Sequence, residues 1–128
     1  MKWLVASGVL VALLAVGAAI ALTSPPKLLS IVDRVAGGGS DAQRAGTAIA
    51  FGGHAQTLDV WVPKQPRDAP RPVIVFFHGG GWVKGDRDAY AFAGRAFASR
   101  GFVVVIPDYR KVPEVRFPAF IEDGAQAI

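Results

Sequence analysis

The polarity pattern of the chain changes several times, and each change marks an element. Trp3–Leu22 is twenty residues without a charge, and a helix of that length reaches about 30 Å, the thickness of bilayer hydrocarbon. Thr23-Ser24-Pro25-Pro26 predicts a stop, because proline removes a backbone donor and its ring clashes with the preceding turn. Lys27–Val35 then spaces Leu28, Leu29, Ile31, Val32 and Val35 as a short amphipathic helix would. Gly37-Gly38-Gly39-Ser40 reads as a flexible joint. Gly46–Phe51 and Thr57–Val62 read as strands, joined at hairpin length by Gly52-Gly53-His54-Ala55-Gln56. In the second, Leu58, Val60 and Val62 alternate with Thr57, Asp59 and Trp61, the alternation of a half-buried strand. His54, at the hairpin turn, reads as a solvated loop residue.

Past the proline-rich loop Pro63–Pro72, Val73–Phe77 is apolar throughout, β-branched and aromatic, which predicts a buried strand. It runs into His78, three consecutive glycines and Trp82, and Gly85-Asp86 closes the loop. A helix follows, with Asp88 as its expected cap, Ala89, Phe92, Ala93, Ala96 and Phe97 on one face, and Gly101 at its end. Phe102–Ile106 is a second fully apolar strand. Strand, helix and apolar strand predict a βαβ unit in a parallel sheet covered on both faces. Pro107-Asp108-Tyr109-Arg110 leaves the sheet, and Phe117-Pro118 begins a last helix that reaches Ile128 without a glycine stop, the pattern expected of a truncated sequence.

Composition sharpens this picture in three places. At 128 residues the chain holds at most one domain, and its 52% hydrophobic content is inflated by the N-terminus. The net charge of +4 comes from scattered basic residues rather than a stripe, which argues against a nucleic-acid partner. There is no cysteine, so disulfides, thiol catalysis and thiolate metal sites are excluded, and two distant histidines argue against a histidine metal site. For the N-terminus two readings stay open. The length favours an uncleaved anchor, while Ala19-Ile20-Ala21 offers a small-x-small site for signal cleavage. Either places the protein at the membrane or beyond it, in the envelope or periplasm of a bacterium. The expected organisation is 1–24 as signal or anchor, 25–45 as linker, and 46–128 as the domain.

Glycines at the end of a buried strand let backbone N–H groups face a ligand, and several turned one way form an anion site. His78-Gly79-Gly80-Gly81-Trp82 resembles the oxyanion motif of α/β-hydrolase esterases and lipases of the hormone-sensitive-lipase-like group. About thirty residues on, Asp108-Tyr109-Arg110 with Pro113-Glu114, and then Phe117-Pro118-Ala119 and Asp123, resembles the group's next block. The resemblance implies an α/β-hydrolase fold, of which the elements read above would be the N-terminal part: an antiparallel hairpin, then βαβ of a mainly parallel sheet, preceded by the hydrophobic N-terminal helix. It also implies a small-molecule ester substrate and no cofactor or metal. By position, Gly80 and Gly81 would donate to the oxyanion, Gly79 would shape the turn and His78 would hold the loop. Trp82 and Tyr109 would stand near substrate, and Arg110 would pair with Glu114 or Asp123. An amide hydrolase of the same fold, or a non-catalytic binding protein built on it, would share these features.

One departure is plain. The group carries its nucleophile in a G-x-S-x-G elbow, and none of Ser7, Ser24, Ser30, Ser40 and Ser99 has that context. The expectation is therefore the N-terminal part of a serine hydrolase, inactive by itself.

Overall fold

The computed structural model describes residues 2–128. In chain order the elements are α1 (Lys2–Thr23), α2 (Pro25–Val35), β1 (Ala42–Phe51), β2 (Gln56–Pro63), β3 (Val73–Val75), α3 (Ala91–Ala98), β4 (Val103–Pro107) and α4 (Ala119–Gln126). The strands form one sheet in the order β1-β2-β4-β3. β1 and β2 make the expected hairpin, and β3 and β4 pair in parallel around α3, the expected βαβ unit. β2 meets β4 antiparallel, however, so this part of the sheet is mixed rather than mainly parallel. Among the described residues no helix is long and apolar enough to cross a membrane.

α3 lies on one face of the sheet and buries Val104 and Ile106 of β4 completely. Burial of one such aliphatic side chain stabilises by roughly 1.5–3 kcal/mol. The reading of strands covered on both faces holds for that face alone. Val103 and Val105 are half-buried, and Val73 on edge strand β3 is 60% exposed. β2 overturns its sequence reading more sharply. The side chains buried under α3 are Asp59 and Trp61, whereas Leu58, Val60 and Val62 are half-buried. The cause is partnership. The guanidinium groups of Arg44 and Arg95 both lie over the Trp61 ring, at 4.7 and 5.6 Å from its centre. Asp59 accepts hydrogen bonds from Arg87 Nε (3.0 Å) and from the backbone N–H of Ala48, where β1 bulges. Gly94 lets α3 sit this close, because a Cβ at that position would overlap the Trp61 ring.

Two local readings are corrected. Asp88 does not cap α3. Asp86 accepts the Ala89 N–H at 2.8 Å, and the Asp88 carboxylate pairs with Arg44. Pro25-Pro26 ends one helix and also opens the next, since proline at the first turn loses no intrahelical bond. That helix, α2, is fixed to α3. Ser30 Oγ donates to the Ala89 carbonyl and accepts the Phe92 N–H, while Arg95 holds Asp33 at 2.6 Å. Gly37-Gly38-Gly39-Ser40 forms a hydrogen-bonded turn, with the Gly38 N–H on the Asp33 carbonyl and the Ala42 N–H on the Gly39 carbonyl.

Candidate active site

The loop from His78 to Asp86 begins at the carboxyl end of β3, where open α/β sheets bind ligands. Its shape depends on a run of left-handed backbone: Gly80 at φ 140°, Gly81 at 63° and Trp82 at 65°. The Gly80 carbonyl accepts the N–H groups of Val83 (3.2 Å) and Lys84 (3.1 Å), closing a tight turn. A Cβ on Gly80 would overlap the Lys84 carbonyl oxygen, so that position excludes every other residue type. Among the described residues, no group accepts a hydrogen bond from the Gly80 or Gly81 N–H. The turn therefore spends its carbonyl and keeps its donors. A cleft of about 550 Å³ opens here, lined by Gly79, Gly80, Lys84, Gly85 and Tyr90 on the loop side and by Ser24–Lys27 opposite. Lys27 crosses its rim to Asp86 at 3.0 Å.

His78 lies beneath the glycines and is only 3% exposed. Nδ1 is 3.1 Å from the Gly79 carbonyl oxygen, and Nε2 is 3.1 Å from Asp108 Oδ1. Whichever ring nitrogen carries the proton, it finds an acceptor. The ring stacks against Tyr109, with centres 4.4 Å apart, and Tyr109 Oη donates to the His78 carbonyl at 2.6 Å. The imidazole is thus enclosed, and among the described residues its ring nitrogens meet Gly79 and Asp108, not a serine. The Ser30 hydroxyl donates to the Ala89 carbonyl and that of Ser99 to the Ala96 carbonyl, and His54 is exposed at the hairpin turn.

Asp108 ties this loop to the next. Besides His78 it accepts the Arg87 backbone N–H at 2.9 Å and a short bond from Arg87 Nη1. Burial alone would raise the Asp108 pKa, but the bonds from His78 and Arg87 outweigh it and hold the carboxyl below its ordinary value. The Arg87 guanidinium, whose pKa burial would lower, is raised by Asp108 and Asp59. Sequence reasoning found His78 and the second block but missed Arg87, Asp59 and Tyr90. The available signal was Asp59 itself, a lone acid inside a strand, which needs a cation if that strand is covered.

Arg110 pairs with Asp123 rather than Glu114. Its Nε and Nη2 reach the carboxylate at 3.0 and 2.7 Å, and its own N–H adds a third bond at 2.9 Å. Asp123 is fully buried, and these bonds overcome the effect of burial and lower its pKa. Trp82 stacks on Phe120, centres 4.5 Å apart at 16°, and its carbonyl accepts the Val112 N–H. With Phe77, Tyr109 and Ile121, these two rings line an apolar cleft of about 370 Å³. The structure therefore gathers Gly79, Gly80, Gly81, His78, Trp82 and Tyr109 into one region. Among the described residues no group of three or more acidic or histidine side chains could hold a metal ion.

The chain is 43% identical over 76 residues to the esterase LipC of Mycobacterium tuberculosis, a match covering 58% of this chain and 19% of that protein. A probable isoprenylcysteine alpha-carbonyl methylesterase of Oryza sativa subsp. japonica is 35% identical over 71 residues, covering 56% of this chain and 17% of its own length. The chain thus spans about a fifth of the length of these relatives. Among solved structures, esterase B from Lactobacillus rhamnosis superposes with a TM-score of 0.57 at 32% identity, over 65% of this chain and 28% of that one. The Pyrobaculum calidifontis esterase superposes at 0.55 with 30% identity, over 80% and 33%. These neighbours share the α/β-hydrolase fold. The BD-FAE family model matches residues 58–128, from β2 through both loops and α4; it takes in more than half the chain, and the protein belongs to that family of α/β-hydrolase esterases.

Proposed function

We propose that this chain contributes the oxyanion-binding loop of a serine hydrolase acting on carboxylic esters, the nucleophile and its base coming from further sequence of the same enzyme. The observation that carries this reading is the pair of backbone donors at Gly80 and Gly81, held in a left-handed turn with no internal acceptor. When a serine oxygen attacks an ester carbonyl, the carbonyl oxygen gains the negative charge. Donors already in place stabilise it without reorganising, and one such donor is worth about 10²–10³ in rate. Esterase relatives and esterase structural neighbours support the ester bond as the target. The shortness of the chain against its relatives, and the engagement of Ser30 and Ser99 elsewhere, support a nucleophile supplied from outside these residues. No cofactor is required, since attack and hydrolysis through a triad need only water. The uncharged stretch at Trp3–Leu22 supports export or anchoring at the cell envelope, which fractionation of expressing cells tests.

The direct test is hydrolysis of p-nitrophenyl butyrate by the full-length protein and by residues 1–128 alone. The expected result is turnover by the full-length protein that a serine-directed phosphonate abolishes, and none by the shorter chain. Phosphonate-sensitive turnover by residues 1–128, or a full-length protein inert towards a panel of short esters, overturns the reading.

A further inference from the structure

The brace behind the glycine loop does not end at Asp108. Arg87 stands between two carboxylates on different elements. Its Nε donates to Asp59 on β2 at 3.0 Å, and its Nη1 and backbone N–H donate to Asp108 beyond β4. Asp59 is fully buried and is also approached by Arg44 at 3.4 Å. Arg87 thus links the central strand β2 to Asp108, and Asp108 links onward to His78 Nε2 at 3.1 Å. His78 in turn meets the Gly79 carbonyl, one residue before the free donors.

We propose that Arg87 is a positioning residue for the oxyanion loop, acting through Asp108 and His78 to fix where the Gly80 and Gly81 amides point. The proposal rests on the oxyanion reading and goes beyond it. His78 and the Arg87 backbone N–H both meet Oδ1 of Asp108, so without the guanidinium on Oδ2 the carboxylate could turn about that one oxygen, and the imidazole could follow it. Held from the far side by a planar guanidinium, it has one orientation. Lysine cannot substitute fully, since a single ammonium has no fork with which to meet two carboxylates in fixed directions. The charge count agrees with a built device. Asp59, Asp108 and Arg87 place two acids around one guanidinium, with Arg44 and His78 at the two ends. The loop is thereby anchored to a fully buried residue of the sheet.

A donor that matters only once the oxygen is negative acts on the transition state, so misaiming it lowers kcat and leaves KM alone. The test uses full-length Arg87→Met and Arg87→Lys, with kcat and KM on p-nitrophenyl butyrate. It also measures affinity for a trifluoromethyl ketone, which forms an oxyanion adduct with the nucleophile, and for a non-reacting ketone of the same shape. For Arg87→Met the expected result is a kcat lower by about 10–100-fold with KM within about twofold, since small misplacements at a reacting centre cost on this scale. Trifluoromethyl ketone affinity should fall by the same factor while the plain ketone binds as before, and Arg87→Lys should recover part of the loss. If Arg87→Met does not fold, Arg87→Lys and Asp108→Asn carry the same comparison. Unchanged kcat in the variants, or equal losses for both ketones in step with a lowered melting temperature, overturns the proposal and leaves Arg87 a purely structural residue. A wild type that hydrolyses nothing sinks the oxyanion reading instead, so the two failures are told apart.

Discussion

The glycine loop has two flanks, and they are held by different physics. On the His78 side the ring stacks on Tyr109, but a chain of directional bonds runs through it. Imidazole, carboxylate and guanidinium are linked by hydrogen bonds, and the ring is nearly closed off from solvent. On the Trp82 side the side-chain contacts are ring against ring, and above the buried Phe120 several rings remain open. Trp82 is 43% exposed, Phe77 42% and Phe117 76%. Directional bonds inside a low-dielectric pocket fix an angle, whereas stacked rings fix little more than a distance. As oxyanion donors the Gly80 and Gly81 N–H groups would need an angle, and the polar flank is the side that can set one. The open flank is suited to taking up apolar groups of different shape.

The hardest way to break this division is at the turn itself. Gly80→Val in the full-length protein puts a branched side chain where the Lys84 carbonyl already lies, at a φ that such residues avoid. The loop must reopen, and both donors go with it. The expected loss in kcat is at least the 10²–10³ or so of a single removed donor. A variant that keeps near-native kcat would show that the loop does not serve the reaction.

Next in size is His78→Ala. It empties a buried ring site and leaves Asp108 short of one donor. Large-to-small changes of this kind and unsatisfied buried polar groups cost about 2–4 kcal/mol together. Urea denaturation of wild type and variant measures it, and a loss no larger than that of an exposed substitution would show the polar flank to be ornamental.

The two flanks also differ in how far the sequence announces them. The glycines, the aromatic after them and the block at Asp108-Tyr109-Arg110 are local signals, readable because the turn needs glycine and the following strand needs an apolar run. The order of elements from β1 to α4 is local too. Arg87 with Asp59 is not. These residues are 28 positions apart, and only the packing of α3 on β2 turns a charged strand residue inward. The alternation in β2 points to Leu58, Val60 and Val62 because hydrophobicity stands in for burial there. An acid with two arginine partners and a tryptophan under two guanidinium groups break that equivalence. Likewise Asp88 reads as a helix cap in the sequence, but its carboxylate is held by Arg44, and α3 starts from Tyr90 with no side-chain cap. α2 reads as a marginal helix alone, and its fixed place comes from Ser30, Asp33 and Arg95.

Acid should weaken the polar flank selectively. Asp108, Asp86 and Asp123 all have folded pKa values below the ordinary one of 3.8, burial being outweighed by their hydrogen bonds. A depressed carboxylate contributes stability that is present above the unfolded pKa and lost as pH falls through the folded value, because the unfolded state then binds more protons. The melting temperature should hold from about pH 7 to about pH 5 and fall below about pH 4. Asp108→Asn should start lower at neutral pH and fall less steeply in acid. Parallel curves for the two proteins would mean that Asp108 takes no part.

The smallest effect belongs to the open flank. Trp82→Ala removes a ring stacked on Phe120 that is already almost half in water. An aromatic pair adds only about 0.5–1.5 kcal/mol beyond its area, and φ at this position stays left-handed with alanine, so no strain is relieved. Stability measured in urea should therefore drop by about 1 kcal/mol, well under the loss for His78→Ala. Kinetics gives the sharper contrast with the polar flank. If the apolar cleft beside Trp82 receives part of the ester, KM for longer acyl chains rises while kcat holds, the opposite split to Arg87→Met. A fall in kcat with KM unchanged would instead place Trp82 with the groups that aim the donors, and the division between a flank that sets angles and a flank that receives substrate would be lost.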